Sequence, residues 1–291
     1  MLSIIICSVS PERLEQVTRN IHDTIGVDYE IIAIDNREKQ WPIARAYNEG
    51  ASRAHYPFLF FVHEDVKFHS VGWGKCIEKK LKEPDCGVIG FAGSKVKLKC
   101  YSGWGDVYKW DVIFYYQSVG TETQFRVASV TMEHPFKEVL VLDGFAMFVR
   151  KDVWAKYPFD EELLTGFHCY DLDFTLQIAA DRCYKNYVCC SSEVLIEHSS
   201  QGNFNQSWYQ DTIKMHKLKW NKILPMKIEG FELGEKEMRK QEEYTFSVFL
   251  RKLLKVGYPE AKVVLKDFLA YPYSWKHLQH CIKYVYKYLV S

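Results

Sequence analysis

A histidine and two carboxylates follow a strongly apolar segment in the first quarter of the chain. Phe58 to Val62 are all large apolar residues, and His63, Glu64 and Asp65 come directly after them. Adjacent carboxylates repel each other, and a divalent cation relieves that repulsion. Mg²⁺ and Mn²⁺ prefer carboxylate oxygen, and Mg²⁺ commonly shares its coordination shell with phosphates. The segment therefore indicates a cation and diphosphate site, although solvated acids at the end of a strand would show the same pattern.

Two further acids, Asp171 and Asp173, lie in a segment that begins at Gly166 and favours the start of a helix. Side chains two residues apart on a helix point about 200° away from each other, so only one of these acids can face a given cleft. A carboxylate in a cleft can accept a proton as a general base. Acids in a first helical turn also complement the helix dipole, which is the structural alternative.

A histidine, His198, ends a short predicted strand that covers Val194 to Glu197. Neutral imidazole is a good ligand for Mn²⁺ and other transition metals. A hydrogen-bonded structural histidine at the end of a strand is the alternative interpretation.

The elements that position these residues alternate between strands and helices. Apolar runs predict strands at residues 3–7, 29–34, 58–62 and 88–91, and helical spacing predicts helices at residues 11–25, 43–55 and 73–81. This alternation predicts a mostly parallel sheet flanked by helices, in which ligands bind at the carboxyl ends of the strands. Three groups of polar residues end these strands: Ser8, Asp35-Asn36 and His63-Glu64-Asp65.

The later parts of the chain have a different character. Residues 94–137 are rich in aromatic residues, including Trp104, and show no clean period, which predicts a long irregular segment that is either a functional loop or a packed insertion. Residues 139–142 predict a strand that ends at Asp143-Gly144. After residue 225 the chain becomes charge-rich and then helical, so we expect a main domain at residues 1–225 and a helical extension at residues 226–291.

The last predicted helix has an apolar side with lysines around it. Its pattern comprises Ile282, Val285, Tyr286 and Leu289, with Lys276, Lys283 and Lys287. A helix at the surface of an anionic membrane has this pattern. A helix that packs on its own domain or on a second subunit has the same pattern, and packing is the preferred interpretation.

Composition limits the class of protein. The chain has 291 residues, 47% hydrophobic residues, 26% charged residues and a formal net charge of +1, which is typical of a globular protein and argues against a globally basic nucleic-acid binder. Nine cysteines without a CxxC pair favour reduced thiols over a zinc site. No segment is typical of a signal peptide or a membrane span, so we expect a cytoplasmic protein, with peripheral contact at the inner face of the membrane as an addition.

The order of these features resembles the GT-A glycosyltransferases, in particular the family 2-like bacterial enzymes of capsule and surface-polysaccharide synthesis. The resemblance extends over roughly residues 1–220. It is carried by Ser3-Ile4-Ile5-Ile6-Cys7-Ser8, Ile31-Ile32-Ala33-Ile34-Asp35-Asn36, Ala44-Arg45-Ala46-Tyr47-Asn48-Glu49-Gly50, Phe61-Val62-His63-Glu64-Asp65, Val141-Leu142-Asp143-Gly144-Phe145 and Tyr170-Asp171-Leu172-Asp173.

The resemblance implies a GT-A fold, a nucleotide-diphosphate sugar as donor, and Mn²⁺ or Mg²⁺ as cofactor. The implied donor-binding residues are Ser8, Asp35, Asn36, Arg45, His63, Glu64 and Asp65. The implied metal ligands are Asp65 and His198, the implied catalytic base is Asp171, and the implied acceptor-binding residues are Asp143, Gly144 and Asp173. His63 stands where the family's metal-binding motif has its first acid.

The resemblance thus implies a metal-assisted hexosyltransferase-like enzyme that transfers sugar to a glycan or lipid-linked acceptor with inversion. Nucleotidyl transfer is a weaker alternative, because the segment after the first strand lacks the glycine-rich phosphate loop of that class. A non-catalytic protein that binds nucleotide-sugar or glycan is the other alternative, since fold alone does not fix function.

Overall fold

The computed structural model describes residues 1–130, 134–200, 202, 204–271 and 275–290. The strands are β1 (Leu2–Ser8), β2 (Tyr29–Asp35), β3 (Phe58–Val62), β4 (Val66–Phe68), β5 (Cys86–Gly90), β6 (Ala92–Ser94), β7 (Val96–Lys97), β8 (Asp111–Val119), β9 (Glu122–Ala128), β10 (Phe136–Val139), β11 (Val141–Leu142), β12 (Ala146–Arg150), β13 (Lys185–Cys189), β14 (Ile196–His198) and β15 (Met226–Lys227). The helices are α1 (Pro11–Thr24), α2 (Ile43–Ser52), α3 (Trp73–Leu81), α4 (Lys151–Lys156), α5 (Tyr170–Ala180), α6 (Gln206–Met215), α7 (Glu235–Val256), α8 (Ala261–Leu269) and α9 (Trp275–Val290).

The central sheet has seven strands in the order β10-β13-β5-β12-β3-β1-β2. Strands β1, β2, β3, β5 and β13 run in one direction, and β12 and β10 run in the opposite direction. The predicted α/β fold with a mostly parallel sheet is therefore confirmed. The carboxyl ends of β1, β2 and β3 lie side by side at one edge, which brings together the polar residues that end these strands.

Both faces of this sheet are covered by helices, which explains why its strands are continuously apolar. Ile5 and Phe61 are buried on the face that α2 and α5 cover, whereas Ile4 and Phe60 are buried on the face that α1 and α3 cover. Helix α1 begins as its sequence predicted, with the side chain of Ser10 accepting a hydrogen bond from the backbone N–H of Arg13 at 3.4 Å.

The prediction of an irregular segment at residues 94–137 was wrong. Strands β8 and β9 form an antiparallel hairpin whose turn contains Gly120 at a φ of 62°, and β8 also joins a second sheet in the order β11-β6-β8-β14-β4. The sequence does carry a strand signal here, since β8 contains a continuous apolar run and residues 124–127 of β9 alternate between polar and apolar residues, although every side chain of that alternation is exposed. This second sheet places β14, and therefore His198, between β8 and β4.

The C-terminal helices share a core with earlier parts of the chain. Residues of α7, α8 and α9 pack together with residues 96–110 and with α6, and β15 pairs with β7. The division of the chain at residue 225 stays a prediction. Across the described ranges, we find no helix with the length and apolarity that crossing a bilayer would require.

Candidate active site

Three potential metal ligands meet at the carboxyl end of β3. The ligand atoms of His63, Asp65 and His198 all lie within 4.8 Å of one another. Nε2 of His198 lies 3.4 Å from Oδ1 of Asp65, and Nδ1 of His63 lies 4.0 Å from the same oxygen. Strand β14 is held beside β4, and the backbone N–H of Ser199 donates to the carbonyl of Asp65 at 2.9 Å. The fold thus joins two segments that are more than 130 residues apart in the sequence.

Two of these ligand atoms are buried without a hydrogen-bond partner. They are Oδ1 of Asp65 and Nε2 of His198, whose 3.4 Å contact is not a well-directed hydrogen bond. A buried polar atom that lacks a partner costs about 1–3 kcal/mol, so such atoms are rare in folded proteins. A divalent cation between the three side chains would satisfy both atoms, and the residues therefore fit a metal ion.

Tyr170 fixes which nitrogen of His63 carries the proton. The Tyr170 hydroxyl donates to the carbonyl of Gly144 at 3.0 Å, and Nε2 of His63 lies 2.7 Å from the same hydroxyl. Because the single hydroxyl hydrogen is already used, Nε2 of His63 is the donor in the second contact. Nδ1 of His63 then keeps its lone pair, and this nitrogen is the one closer to Asp65. Such an outer hydrogen bond is the usual way to orient a metal-binding histidine.

The charge states of His63 and Asp65 suit metal binding. Burial, together with the nearby His198, lowers the pKa of His63 to about 4, so its imidazole is neutral at pH 7. Burial acts to raise the pKa of Asp65, but His198, His63 and a backbone hydrogen bond together outweigh burial, and the pKa of Asp65 lies below its usual value. A neutral imidazole and an ionised carboxylate are the forms that bind a cation.

Replacing Tyr170 with Phe is expected to weaken metal binding about 10- to 100-fold, because His63 loses the partner that fixes its tautomer and ring orientation. Mn²⁺ affinity would be measured by titration with electron paramagnetic resonance detection of the free ion. Tyr157→Phe is the matched control, since it also removes a tyrosine hydroxyl that makes a side-chain hydrogen bond, here with the partly exposed Asp181. An unchanged Mn²⁺ affinity in Tyr170→Phe would show that this hydrogen bond does not orient a metal ligand.

Glu64 and Ser8 are partners of each other at the same edge of the sheet. Oε2 of Glu64 accepts hydrogen bonds from the Ser8 hydroxyl at 2.5 Å and from the backbone N–H groups of Val9 and Ser10 at 3.2 Å each. These bonds hold the turn between β1 and α1. Contacts of Ser8 and Glu64 with a donor stay a prediction beside this structural role.

A cleft of about 450 Å³ opens next to the ligand cluster. It is lined by Cys7, Val9, Arg13, Asn36, Gln40, Trp41, Pro42, Ile43, His63, Glu64, Asp65, Thr165, Gly166 and Phe167. The Asn36 side chain accepts from the backbone N–H of Trp41 at 2.8 Å and donates to the Trp41 carbonyl at 2.9 Å. The lining of the cleft therefore combines aromatic and apolar side chains with two carboxylates.

Three of the predicted donor residues lie outside the lining of this cleft, namely Ser8, Asp35 and Arg45. The guanidinium of Arg45 lies 4.5 Å from the centre of the Trp41 ring, and so it contacts a residue that lines the cleft. Asp35 pairs with Ser8 in the β1–β2 register, but its exposed carboxylate binds Arg37, whose hydrogen bonds lower the pKa of Asp35 to about 2. For Asp35 to contact a donor, the Arg37 side chain must share the Asp35 carboxylate or release it.

Sequence reasoning missed Arg13, Trp41, Phe167 and Tyr170. Arg13 lies in the first turn of α1 and lines both this cleft and a neighbouring one of about 470 Å³, which also includes Glu64 and Asp65. Its position at the start of the helix after β1 could have identified it, because that helix begins at the ligand-binding edge of the sheet. No comparable signal marks Trp41, which follows an irregular loop.

Asp143 and Asp171 lie close enough for the charge of Asp143 to act on Asp171. The indole N–H of Trp104 donates to Oδ2 of Asp143 at 2.6 Å, and the backbone N–H of Leu172 donates to Oδ1 of Asp171 at 2.8 Å. Burial, and then the charge of Asp143, raise the pKa of Asp171 to about 7. The structure thus brings together a carboxylate pair in which one member titrates near neutral pH.

Gly144 lies between this pair and Tyr170 and has no room for a side chain. A Cβ atom at this position would lie 2.4 Å from the Tyr170 hydroxyl and 2.8 Å from Cβ of Asp171. The glycine therefore permits the close approach that connects Tyr170, and through it His63, with the segment that carries Asp171.

The surroundings of Asp173 do not favour its predicted role in acceptor binding. Its side chain is fully buried and accepts hydrogen bonds from Lys219, Trp220 and Gln177, each at 2.8 Å. Asp171 is partly exposed but is not among the residues that line either of the two clefts described above, so the expectation that one of the two acids faces a cleft stays a prediction. Asp173 instead connects α5 with the π-helical segment His216–Trp220.

Comparison with known proteins assigns the class. A family model described as "Glycosyltransferase like family" matches residues 3–219, and the chain therefore belongs to this glycosyltransferase-like family. The match confirms the resemblance identified from the sequence, and glycosyl transfer is the general activity that it supports. No curated protein matches the chain. Among solved structures, A197 from STIV is 14% identical, with 69% of this chain and 86% of that chain covered and a TM-score of 0.39.

Proposed function

We propose that this protein transfers a sugar from a nucleotide-diphosphate sugar to a hydroxyl group of a glycan or lipid-linked acceptor, with a divalent cation held by His63, Asp65 and His198. The observation that carries the proposal is the pair of buried, unpartnered ligand atoms on Asp65 and His198 beside a cleft. When bound there, the cation would stabilise the negative charge that develops on the leaving diphosphate.

The lining of the cleft suits the remaining parts of such a donor. Trp41, Ile43 and Phe167 offer apolar and aromatic surface for a nucleoside base, and the Trp41 ring is itself contacted by Lys39 at 4.3 Å and by Arg45. Arg13 lines the same two clefts as Glu64 and Asp65, and its guanidinium can bind a phosphate oxygen. In this arrangement the base contacts the aromatic and apolar lining, and the diphosphate contacts the cation and Arg13.

Asp171 is the proposed general base. An ionised carboxylate there accepts the proton of the attacking hydroxyl, and a pKa near the working pH is the most effective value for that task. Asp143 is oriented by Trp104 and raises the pKa of Asp171, so Asp143 supports the base through its charge. Direct attack by the acceptor inverts the anomeric carbon.

We expect Mn²⁺ to support donor binding better than Mg²⁺, because two imidazole nitrogens and one carboxylate form a donor set that is poor for Mg²⁺. Thermal unfolding would be measured with nucleoside diphosphates and their sugars in the presence of Mn²⁺, Mg²⁺ or a chelator. A ligand at 100 times its Kd stabilises the folded state by about 2.7 kcal/mol, so the matching nucleotide should raise Tm by about 5 °C or more with Mn²⁺. Equal stabilisation with the chelator would argue against a metal-bound diphosphate.

A non-catalytic protein of the same fold is the second candidate, since His63 replaces an acid that the resemblance leads one to expect. Release of nucleoside diphosphate from the donor identified by thermal unfolding distinguishes the two. A transferase hydrolyses the donor slowly when no acceptor is present, and it releases nucleoside diphosphate faster when an acceptor is added. A binding protein shows the same thermal stabilisation without release.

A further inference from the structure

Helix α9 leaves one apolar side exposed. The helix buries His277, Cys281 and Tyr284 in the core that it shares with α7 and α8. On another side, apolar residues recur at intervals of four and three positions, which aligns them along the helix. Their exposed fractions are 55% for Leu278, 66% for Ile282, 67% for Tyr286 and 76% for Leu289. We call these four residues the α9 stripe.

Exposed lysines border the α9 stripe. Lys283 and Lys287 each follow a stripe residue by one position, which places them about 100° further around the helix. Residues 275–290 include no Asp or Glu, so α9 itself provides no acid for these lysines. The exposed surface of the helix therefore combines an apolar strip with positive charge along its edge.

We propose that the α9 stripe and its two lysines bind the surface of an anionic lipid bilayer, with α9 lying in the plane of the membrane. An amphipathic helix with apolar residues on one side and lysines beside them binds such surfaces, and each basic residue near the surface contributes about 1 kcal/mol. A second copy of the chain fits this surface less well. Two stripes in contact would bring lysines of both copies together without an acid on either α9.

The test uses the full chain and vesicles, and needs no sugar nucleotide, so its outcome is independent of the proposed transferase function. Sedimentation would be measured with vesicles of phosphatidylcholine alone and with vesicles that also contain phosphatidylglycerol. We expect binding to the anionic vesicles only, and loss of binding at high salt because the lysine contribution is screened. The double variants Ile282→Ser/Leu289→Ser and Lys283→Glu/Lys287→Glu should each reduce binding at least about 10-fold.

Lys262→Glu/Lys266→Glu on α8 is the matched control, since it makes the same charge change at exposed positions of another helix. It should leave binding within about twofold of the unmodified protein. Far-ultraviolet circular dichroism verifies that each variant is folded, and size-exclusion chromatography with light scattering gives the oligomeric state. Equal binding to neutral vesicles, an equal loss of binding in the α8 control, or a lipid-free dimer that Ile282→Ser/Leu289→Ser dissociates would each overturn the proposal.

Discussion

Asp171→Asn is expected to reduce sugar transfer at least about 100-fold while donor binding stays unchanged. General base catalysis typically contributes 10²- to 10⁴-fold, and an amide cannot accept the proton of the attacking hydroxyl. The substitution preserves shape and the capacity of Oδ1 to accept from the backbone N–H of Leu172. Single-turnover transfer and donor affinity would be measured separately, since a loss in both would indicate a disturbed site.

The same base predicts the pH dependence of the unmodified protein. Because the folded protein holds the Asp171 proton up to a pKa of about 7, the transfer rate should fall about tenfold per pH unit below that value. The stability of the folded state changes with pH in the opposite direction to the transfer rate. The unfolded chain releases this proton near pH 4, so the folded state loses stability as pH rises from about 4 to 7. Asp171→Asn removes this penalty and should raise Tm at pH 8 but not at pH 4.

The matched control for this substitution is Asp28→Asn, which makes the same chemical change at an exposed position. It should alter neither the transfer rate nor the pH dependence of Tm. Full activity of Asp171→Asn would remove Asp171 from the role of base and direct attention to Asp143.

Asp65→Ala is expected to lower Mn²⁺ affinity by more than about 100-fold and to remove the metal dependence of donor binding. Asp65 is the only carboxylate among the three clustered ligands, and even the loss of an outer partner of a metal ligand costs 10- to 100-fold.

Glu122→Ala, at an exposed position of β9, is the control for loss of a carboxylate. It should keep the Mn²⁺ affinity of the unmodified protein. Asp65→Ala could instead bind nucleoside diphosphate as tightly as the unmodified protein does, and equally well with and without Mn²⁺. That result would show that the metal does not contribute to donor binding.

The parts of the site that the sequence predicted are those that follow from strand ends. Apolar runs identify β1, β2 and β3, and a parallel arrangement brings their carboxyl ends to one edge, so the convergence of Ser8, Asn36 and His63 could be expected before any coordinates. His198 could be proposed as a ligand but not placed, because its position depends on β14 pairing with β8 and β4 across a second sheet.

The rest of the site depends on contacts that sequence spacing does not encode. The roles of Asp171 and Asp173 differ because of how α5 is rotated, and that rotation follows from packing and from the Lys219 and Trp220 bonds to Asp173. The bond from Tyr170 to His63 is equally invisible in the sequence, since 107 positions separate the two residues. The hairpin of β8 and β9 also escaped prediction, because the alternation in β9 extends over only residues 124–127.

Pulsed electron paramagnetic resonance of the protein with Mn²⁺ and the matching nucleoside diphosphate tests the central claim most directly. We predict that one Mn²⁺ ion shows coupling both to ¹⁴N, from the imidazoles of His63 and His198, and to ³¹P, from the diphosphate. Coupling to ³¹P without ¹⁴N, or to ¹⁴N without ³¹P, would show that the clustered side chains and the donor diphosphate do not share a cation, and would contradict the account.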